Sequence, residues 1–379
     1  MSKFLINTSN LKTGGGLQVA ESICRLLYKY SQHIFYVVLS DKLYYLSSEL
    51  SLYNNIKVIK YTQSLSIFHV LTGKDRVLDN IVSEQNIDAA FTIFGPSRWR
   101  PKCFHLCGFA MAHIALPESP YWKLLSPISQ LKSKLRIQLM KRDFKINNDL
   151  LWCENEYISE RLRKIFKNKL VKTITNNYNQ VFDCPDKWDS SIKLSPFNGI
   201  TLLTISANYP HKNLTIALSV LEELKKKEPE INLRFVFTIN RNQYPEIPDK
   251  FKDNFIFLGP ISINQCPPLY QQADIMFQPS LLECFSATYA EAMKMNVPIL
   301  TTDLGFAHSL CEDSALYYSA TDYKDLANTI KKIAFNKSLS KVLVSNGNQQ
   351  LKKFDSFESR TEKLIKILET NINNVNIQR

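Results

Sequence analysis

The strongest constraint on this chain is the alternation of short apolar runs with helical patterns along almost its whole length. Residues 4–6, 33–39, 56–61, 89–94, 104–110, 150–153 and 171–175 read as strands. Helical patterns over 17–30, 76–85 and 156–166 fall between them. Strand, helix, strand in this order predicts a parallel sheet wound on both faces, an α/β fold. The polar stretch 183–196 contains two prolines and reads as a linker. After it the alternation starts again, with strands at 200–205, 233–239, 255–258, 275–277 and 298–301. Helices at 213–227, 263–272, 287–295 and 322–335 separate those strands. A chain of 379 residues can build two such domains, each with its own core. The expected division is 1–180, 181–355, and a C-terminal helix in 356–379 that packs back toward the first domain, with a polar, frayed tail from Asn371.

Composition narrows the class of protein. With 45% hydrophobic and 22% charged residues, the chain reads as soluble and globular. No apolar run approaches a membrane span, and the apolar core of MSKFLINTSN is too short for a signal peptide. Eight cysteines scattered through strands and helices suit a reducing compartment, so a cytoplasmic location is expected. Cys103-Phe-His105-Leu-Cys107 has metal-ligating residue types, but the alternation reads as a buried strand and no metal site is expected. The net charge of +12 attracts polyanions without choosing among nucleotides, lipids and nucleic acid. No run of interleaved aromatics supports nucleic acid as the partner.

Four loops carry candidate chemistry. Gly14-Gly15-Gly16 follows the first strand and precedes a helix, where backbone N–H groups can meet a phosphate. It lacks the Lys-Ser/Thr of a nucleotide-binding P-loop, and a plain flexible turn fits it equally. His113 lies in the expected loop 111–120 past a sheet strand, a place for a polar group at a ligand crevice. Lys212 stands at the entry to the helix 213–227, where it can neutralise a diphosphate. In the stretch Pro279-Ser-Leu-Leu-Glu283-Cys-Phe285-Ser286-Ala287-Thr288-Tyr-Ala-Glu291, two carboxylates flank a helix N-terminus. An extended ligand can touch both, with phosphates on the free N–H groups between them. Thr288-x-x-Glu291 also fits a capping box, which would make Glu291 structural.

Residues 121–146 form a separate basic segment. Lys123, Lys132, Lys134, Arg136, Lys141, Arg142 and Lys145 face only Asp143, and Ile128, Leu131, Leu135 and Leu139 recur at helical spacing, with Trp122 near the start. Such a helix can lie on an anionic membrane surface, or pack on the domain with a solvated basic face.

Two α/β halves, a glycine loop in the first and Glu283-x7-Glu291 in the second resemble retaining nucleotide-sugar glycosyltransferases of the GT-B fold, in the large family numbered four. The order Phe257-Leu-Gly-Pro260, Leu269-Tyr270, Ala273-Asp274, Gln278-Pro279-Ser280, Glu283, Phe285, Glu291-Ala-Met293 and Val297-Pro-Ile299 follows that family's spacing. The glycine loop with Leu17-Gln18, and Gly108-Phe-Ala110 to His113, resemble a bacterial subgroup that builds surface polysaccharides.

The resemblance implies two Rossmann-like domains facing each other across a cleft. It implies transfer of a sugar from a UDP- or GDP-sugar to a glycan or lipid-linked acceptor in capsule, O-antigen or lipopolysaccharide synthesis. The nucleotide-sugar is then a substrate, and no cofactor or metal is implied. Lys212 would bind the diphosphate, and Glu283 the sugar's hydroxyls with help from N–H groups around Phe285, Ser286 and Ala287. N–H groups near Thr288 would cradle phosphate, Glu291 would hold ribose, and Gly15 and Gly16 would face the diphosphate and acceptor. His113 would lie beside the reacting sugar.

Four positions depart from the family pattern. Ala207 replaces an arginine common in relatives, leaving His211 or Arg241 to supply the second charge; Cys284 and Ser286 replace glycines; Asn177 replaces a glycine but tolerates a left-handed turn. A non-catalytic glycan-binding subunit of the same fold, or a sugar-nucleotide epimerase, are the alternatives. Retention of Lys212, Glu283 and Glu291 together argues against the first, and the lack of a further acid/base carboxylate set against the second.

Overall fold

The computed structural model describes residues 1–63 and 67–372. Contacts divide the chain into two compact units. The first comprises Met1–Pro117, Ser126–Asn176 and Asp355–Arg379; the second comprises Glu118–Leu125 and Asn177–Phe354. The chain thus leaves the first unit at Asn176 and returns to it at Asp355. Residues 118–125, expected in the first domain, belong to the second unit.

The first unit is built on a seven-stranded parallel sheet in the order β3-β2-β1-β4-β5-β6-β7. Its strands are β1 (Ser2–Asn7), β2 (His33–Leu39), β3 (Ile56–Lys60), β4 (Ala89–Thr92), β5 (Phe104–Gly108), β6 (Leu150–Cys153) and β7 (Leu170–Thr173). Every residue of β4, β5 and β6 is buried, as a parallel sheet covered on both faces requires. Successive side chains point to opposite faces, so Phe4 and Ile6 enter one core while Leu5 enters the other. The helices Gly15–Leu26 and Phe357–Thr370 cover the first face through Ile23, Cys24, Leu364, Ile365 and Leu368. The helix Arg76–Glu84 covers the other through Leu78 and Val82. The C-terminal helix is therefore part of the first unit's core; the tail beyond residue 372 lies outside the described residues.

The second unit holds a six-stranded parallel sheet, β10-β9-β8-β11-β12-β13. Its strands are β8 (Ile200–Thr204), β9 (Leu233–Phe237), β10 (Phe255–Phe257), β11 (Ile275–Gln278), β12 (Ile299–Thr302) and β13 (Ala315–Tyr318). In both sheets the first strand lies inside, and the chain winds outward to one edge before crossing to the other side. Loops that follow the first and fourth strands of such a sheet diverge and leave a crevice at the strands' carboxyl ends.

Four local expectations need correction. The first helix starts at Gly15 instead of residue 17, with Gly14 at φ 81° before it. Glycine's conformational freedom makes that sharp entry accessible, and the open space beside Gly14 and Gly15 leaves their backbone approachable. His113 sits in a short helix, Ala112–Ala115, instead of a loop. Residues 121–146 are not one helix: a 3-10 turn over Pro120–Leu124 is followed by the helix Pro127–Ile146, which Ser126 caps. Lys212 ends a 3-10 turn, Pro210–Lys212; Asn213 is left-handed and the helix begins only at Ile216.

The helix Pro127–Ile146 buries only Asp143 and Phe144, in its last turn. Its apolar stripe faces solvent, with Ile128, Leu131 and Leu135 about two-thirds exposed (69%, 70% and 67%). No helix among the described residues is long and apolar enough to cross a membrane.

Candidate functional site

In the second unit the crevice falls between the loops after β8 and β11, and the candidate residues come from those two loops. Lys212 arrives from the loop after β8 and Glu283 from the loop after β11. Their side chains meet: the Lys212 ammonium donates to Glu283 Oε1, and both are largely buried. A buried ion pair contributes little net stability, because desolvation offsets most of the attraction. Its partners are therefore available to an anion and to hydroxyl groups that supply equivalent bonds.

The loop carrying Glu283 is held from several sides. Leu281 and Leu282 are buried and anchor it. Leu281 N–H donates to the His211 carbonyl at 2.7 Å, tying this loop to the one that carries Lys212. Thr302 Oγ1 donates to the Ser280 carbonyl at 2.7 Å, and Ser119 Oγ to the Leu281 carbonyl at 2.6 Å. Ser119 belongs to the segment 118–125, which explains why that segment travels with the second unit. The neighbouring Tyr121 ring meets His211 edge-on, and His211 stacks on Tyr209. Gln278 Nε2 donates to Ser280 Oγ at 2.9 Å and lies 3.4 Å from both Glu283 Oε1 and Ser286 Oγ.

Beyond Glu283 the chain enters the helix Ala287–Lys294. Ser286 occupies the N-cap position, but no side chain caps the helix. Its hydroxyl pairs instead with Thr288 Oγ1 at 2.8 Å. The capping box between Thr288 and Glu291 is thus not formed. The first N–H groups are left for a ligand, and the helix dipole favours an anion there. Phe285 packs its ring on Phe354, 5.9 Å between centroids. Cys284 is buried within the loop, so its side chain is accommodated there.

Glu291 is buried in the helix, and Tyr270 OH donates to its Oε2 at 3.0 Å. Burial raises its carboxyl to about 7, while the Tyr270 bond opposes that rise. Of the two cations suggested to replace the arginine, Arg241 is committed elsewhere: it donates to the Tyr244 and Pro245 carbonyls and lies over the Phe257 ring. His211 is the one adjoining Lys212.

Gly15, Gly16 and His113 belong to the first unit. Gly15 and Gly16 form the first turn of the helix after β1, and Asn10 Nδ2 donates to the Phe94 and Pro96 carbonyls, tying the loops after β1 and β4. His113 is held below its usual pKa by burial, with Arg136 adding, so its ring is neutral near pH 7. His105 sits within β5 with both ring nitrogens engaged, Nδ1 with the Asn147 carbonyl (2.5 Å) and Nε2 with Thr92 Oγ1 (2.8 Å). Among the described residues no cluster of His, Cys, Asp and Glu could hold a metal ion.

Sequence reasoning placed Tyr270 and Gln278 only within a family pattern and did not single out Ser119. Tyr270 and Gln278 carry no local mark of their partners, which lie across the fold or around the loop. Ser119 stands before a proline and caps the turn that follows, a signal of local structure alone.

Two parallel sheets wound in this order are those of the GT-B class of glycosyltransferase folds. Residues 199–336 match the model of the family of glycosyl transferases group 1. Over 137 residues the chain is 29% identical to the O-antigen chain mannosyltransferase RfbU of Salmonella typhimurium, a match covering 35% of this chain and 37% of that protein. A glycosyltransferase from Rickettsia africae shares the fold over 98% of this chain and 99% of its own, at TM-score 0.68 and 16% identity. So does Alr3699/HepE of Anabaena, solved with UDP and glucose, over 98% of this chain and 100% of its own, at TM-score 0.65 and 14% identity.

Proposed function

We propose that the chain is a retaining, metal-independent glycosyltransferase. It moves a sugar from a UDP- or GDP-sugar to a glycan or lipid-linked saccharide in cell-envelope polysaccharide synthesis. The observation that carries this reading is the Lys212–Glu283 pair at the crevice of the second sheet, beside an uncapped helix N-terminus. The similarity to RfbU supports the polysaccharide setting, and the fold shared with a UDP-bound structure supports the donor class.

In the proposed reaction the donor diphosphate takes Lys212 away from Glu283 and rests on the N–H groups near Ala287 and Thr288. The bond between the anomeric carbon and the diphosphate oxygen breaks, and the nucleoside diphosphate leaves with the electron pair. Lys212 and the helix N-terminus stabilise the charge that grows there. Glu283 holds sugar hydroxyls, and its charge favours the cationic character of the ring. The acceptor oxygen bonds to the anomeric carbon on the face the phosphate leaves, and its proton passes to the leaving oxygen. Glu291 takes the ribose hydroxyls, and His113, neutral, serves the reacting sugar.

The exposed stripe of the helix Pro127–Ile146, flanked by Lys132, Lys134, Arg136, Lys141 and Arg142, supports peripheral docking on an anionic membrane from the cytoplasmic side. Such docking would bring the enzyme to a lipid-linked acceptor.

Titration calorimetry with UDP- and GDP-sugars tests the donor site directly. Absence of binding to every sugar nucleotide would favour the non-catalytic glycan-binding subunit. Glu283→Gln should lower transfer about a hundredfold or more while the variant still folds, with a lower melting temperature because Lys212 loses its buried partner. Unchanged turnover in that variant would remove Glu283 from the site.

A further inference from the structure

We infer that the carboxyl ends of β1, β2 and β3 form a second pocket, within the first unit, that binds a saccharide bearing an anionic group. The pocket has a volume of about 290 Å³ and lies between the segments that follow those three strands. That size is near the lower end of small-molecule sites, roughly 300–1,000 Å³. It lies on the β1–β3 side of the sheet, whereas His113 follows β5 on the other side of β1.

Two independent features define the ligand. The first is charge. Lys12 and Lys42 line the pocket, and neither pairs with a carboxylate among the described residues. The one lining acid, Asp41, lies 3.9 Å from a third lysine, Lys60. The balance is positive, and an anion entering here meets ammonium groups not already neutralised. The second is hydrogen bonding. Ser9 and Ser40 line the pocket at 7% and 5% exposure, and their hydroxyl oxygens are buried without any partner. A buried hydroxyl left unmatched is costly, and groups of this kind are normally satisfied by protein, water or ligand. With Asp41 and Gln63 at the rim, the site offers both donors and acceptors, as a polyhydroxylated ring requires. As the seat of a sugar acceptor the pocket rests on the glycosyltransferase reading; the binding itself does not.

The test uses the full chain and saturation-transfer NMR titrations with glucose 6-phosphate, glucuronate and glucose. The charged sugars should bind at least tenfold more tightly than glucose. Preference for glucose 6-phosphate assigns a phosphate to the natural ligand, and preference for glucuronate a carboxylate. The double variant Lys12→Gln/Lys42→Gln should weaken the charged probes about tenfold and leave UDP-sugar binding unchanged. Equal binding of glucose, or unchanged affinity in the double variant, would overturn the charge assignment. Inorganic phosphate binding as tightly as glucose 6-phosphate would overturn the saccharide. Failure of all UDP- and GDP-sugars with the charged sugars still bound would sink the proposed function and leave this pocket standing.

Discussion

Glu291, proposed above to take the ribose hydroxyls, is a buried carboxyl that costs the unliganded fold stability. Burial lifts its pKa from 4.5 to about 7, above the value of the unfolded chain. Between those values the native state keeps a proton that the unfolded state releases, so stability falls as pH rises from about 4.5 to 7 and levels off above. The cost at pH 8 is on the order of 3 kcal/mol, at about 1.4 kcal/mol per pKa unit. Glu291→Gln should therefore raise the melting temperature at pH 8 and flatten its fall between pH 5 and 8. Part of the slope should remain, because burial also raises Glu154 to about 7. Melts of the two proteins across that range check this; an identical pH slope would place Glu291 in contact with solvent. The residue types and spacing of Glu283, Glu291 and Lys212 were legible in the sequence. That Lys212 rests on Glu283 was not, since 71 residues separate them and no local pattern encodes the pairing.

At the scale of elements, strands were easier to read than helix starts. Parallel strands buried on both faces need apolar runs, and such runs end abruptly. Helix starts depend on the backbone instead. Glycine is a poor helix former, so propensity places the first helix after Gly16, although the chain turns at Gly14 and uses the next two glycines as helix. The helix Pro127–Ile146 buries residues only in its last turn, where the Asp143 carboxylate accepts from Ser97 N–H, Arg98 N–H and Asn147 Nδ2. Its solvent-facing apolar stripe makes the membrane proposal a property of this element. Replacing Lys132, Lys134, Arg136, Lys141 and Arg142 by glutamine should lower flotation with anionic liposomes at least tenfold, since each basic residue near such a surface contributes about 1 kcal/mol. Equal flotation before and after would end that reading.

At the scale of the whole molecule, the chain closes the first unit with its own last helix. Leu364 and Leu368 are fully buried beside strands from the N-terminal part. Arg360 is almost completely buried; it bonds Asn176, where the chain leaves this unit, and Ser22 on the first helix. The nearby carboxyl of Glu154 draws on the same cation. Leu364→Ala should cost about 2–5 kcal/mol, read as a lower denaturant midpoint for the first unit. A midpoint shift equivalent to less than about 1 kcal/mol would mean that the helix is peripheral to that core. The amphipathic pattern made this helix readable, but its place in the core depends on contacts more than 300 residues away in sequence, such as Arg360 to Ser22.

The sequence by itself determined the α/β class, the two-fold repetition and the loops able to carry chemistry, because apolar periodicity and turn residues are local properties. Only the tertiary structure decided which of these groups meet. It put residues 118–125 with the second unit through the bond from Ser119 to Leu281, paired Lys212 with Glu283, buried Glu291 against Tyr270, and turned the stripe of residues 128–139 to solvent. Each of these depends on how distant segments pack within a unit, where burial and hydrogen-bond completion choose partners that no local spacing specifies.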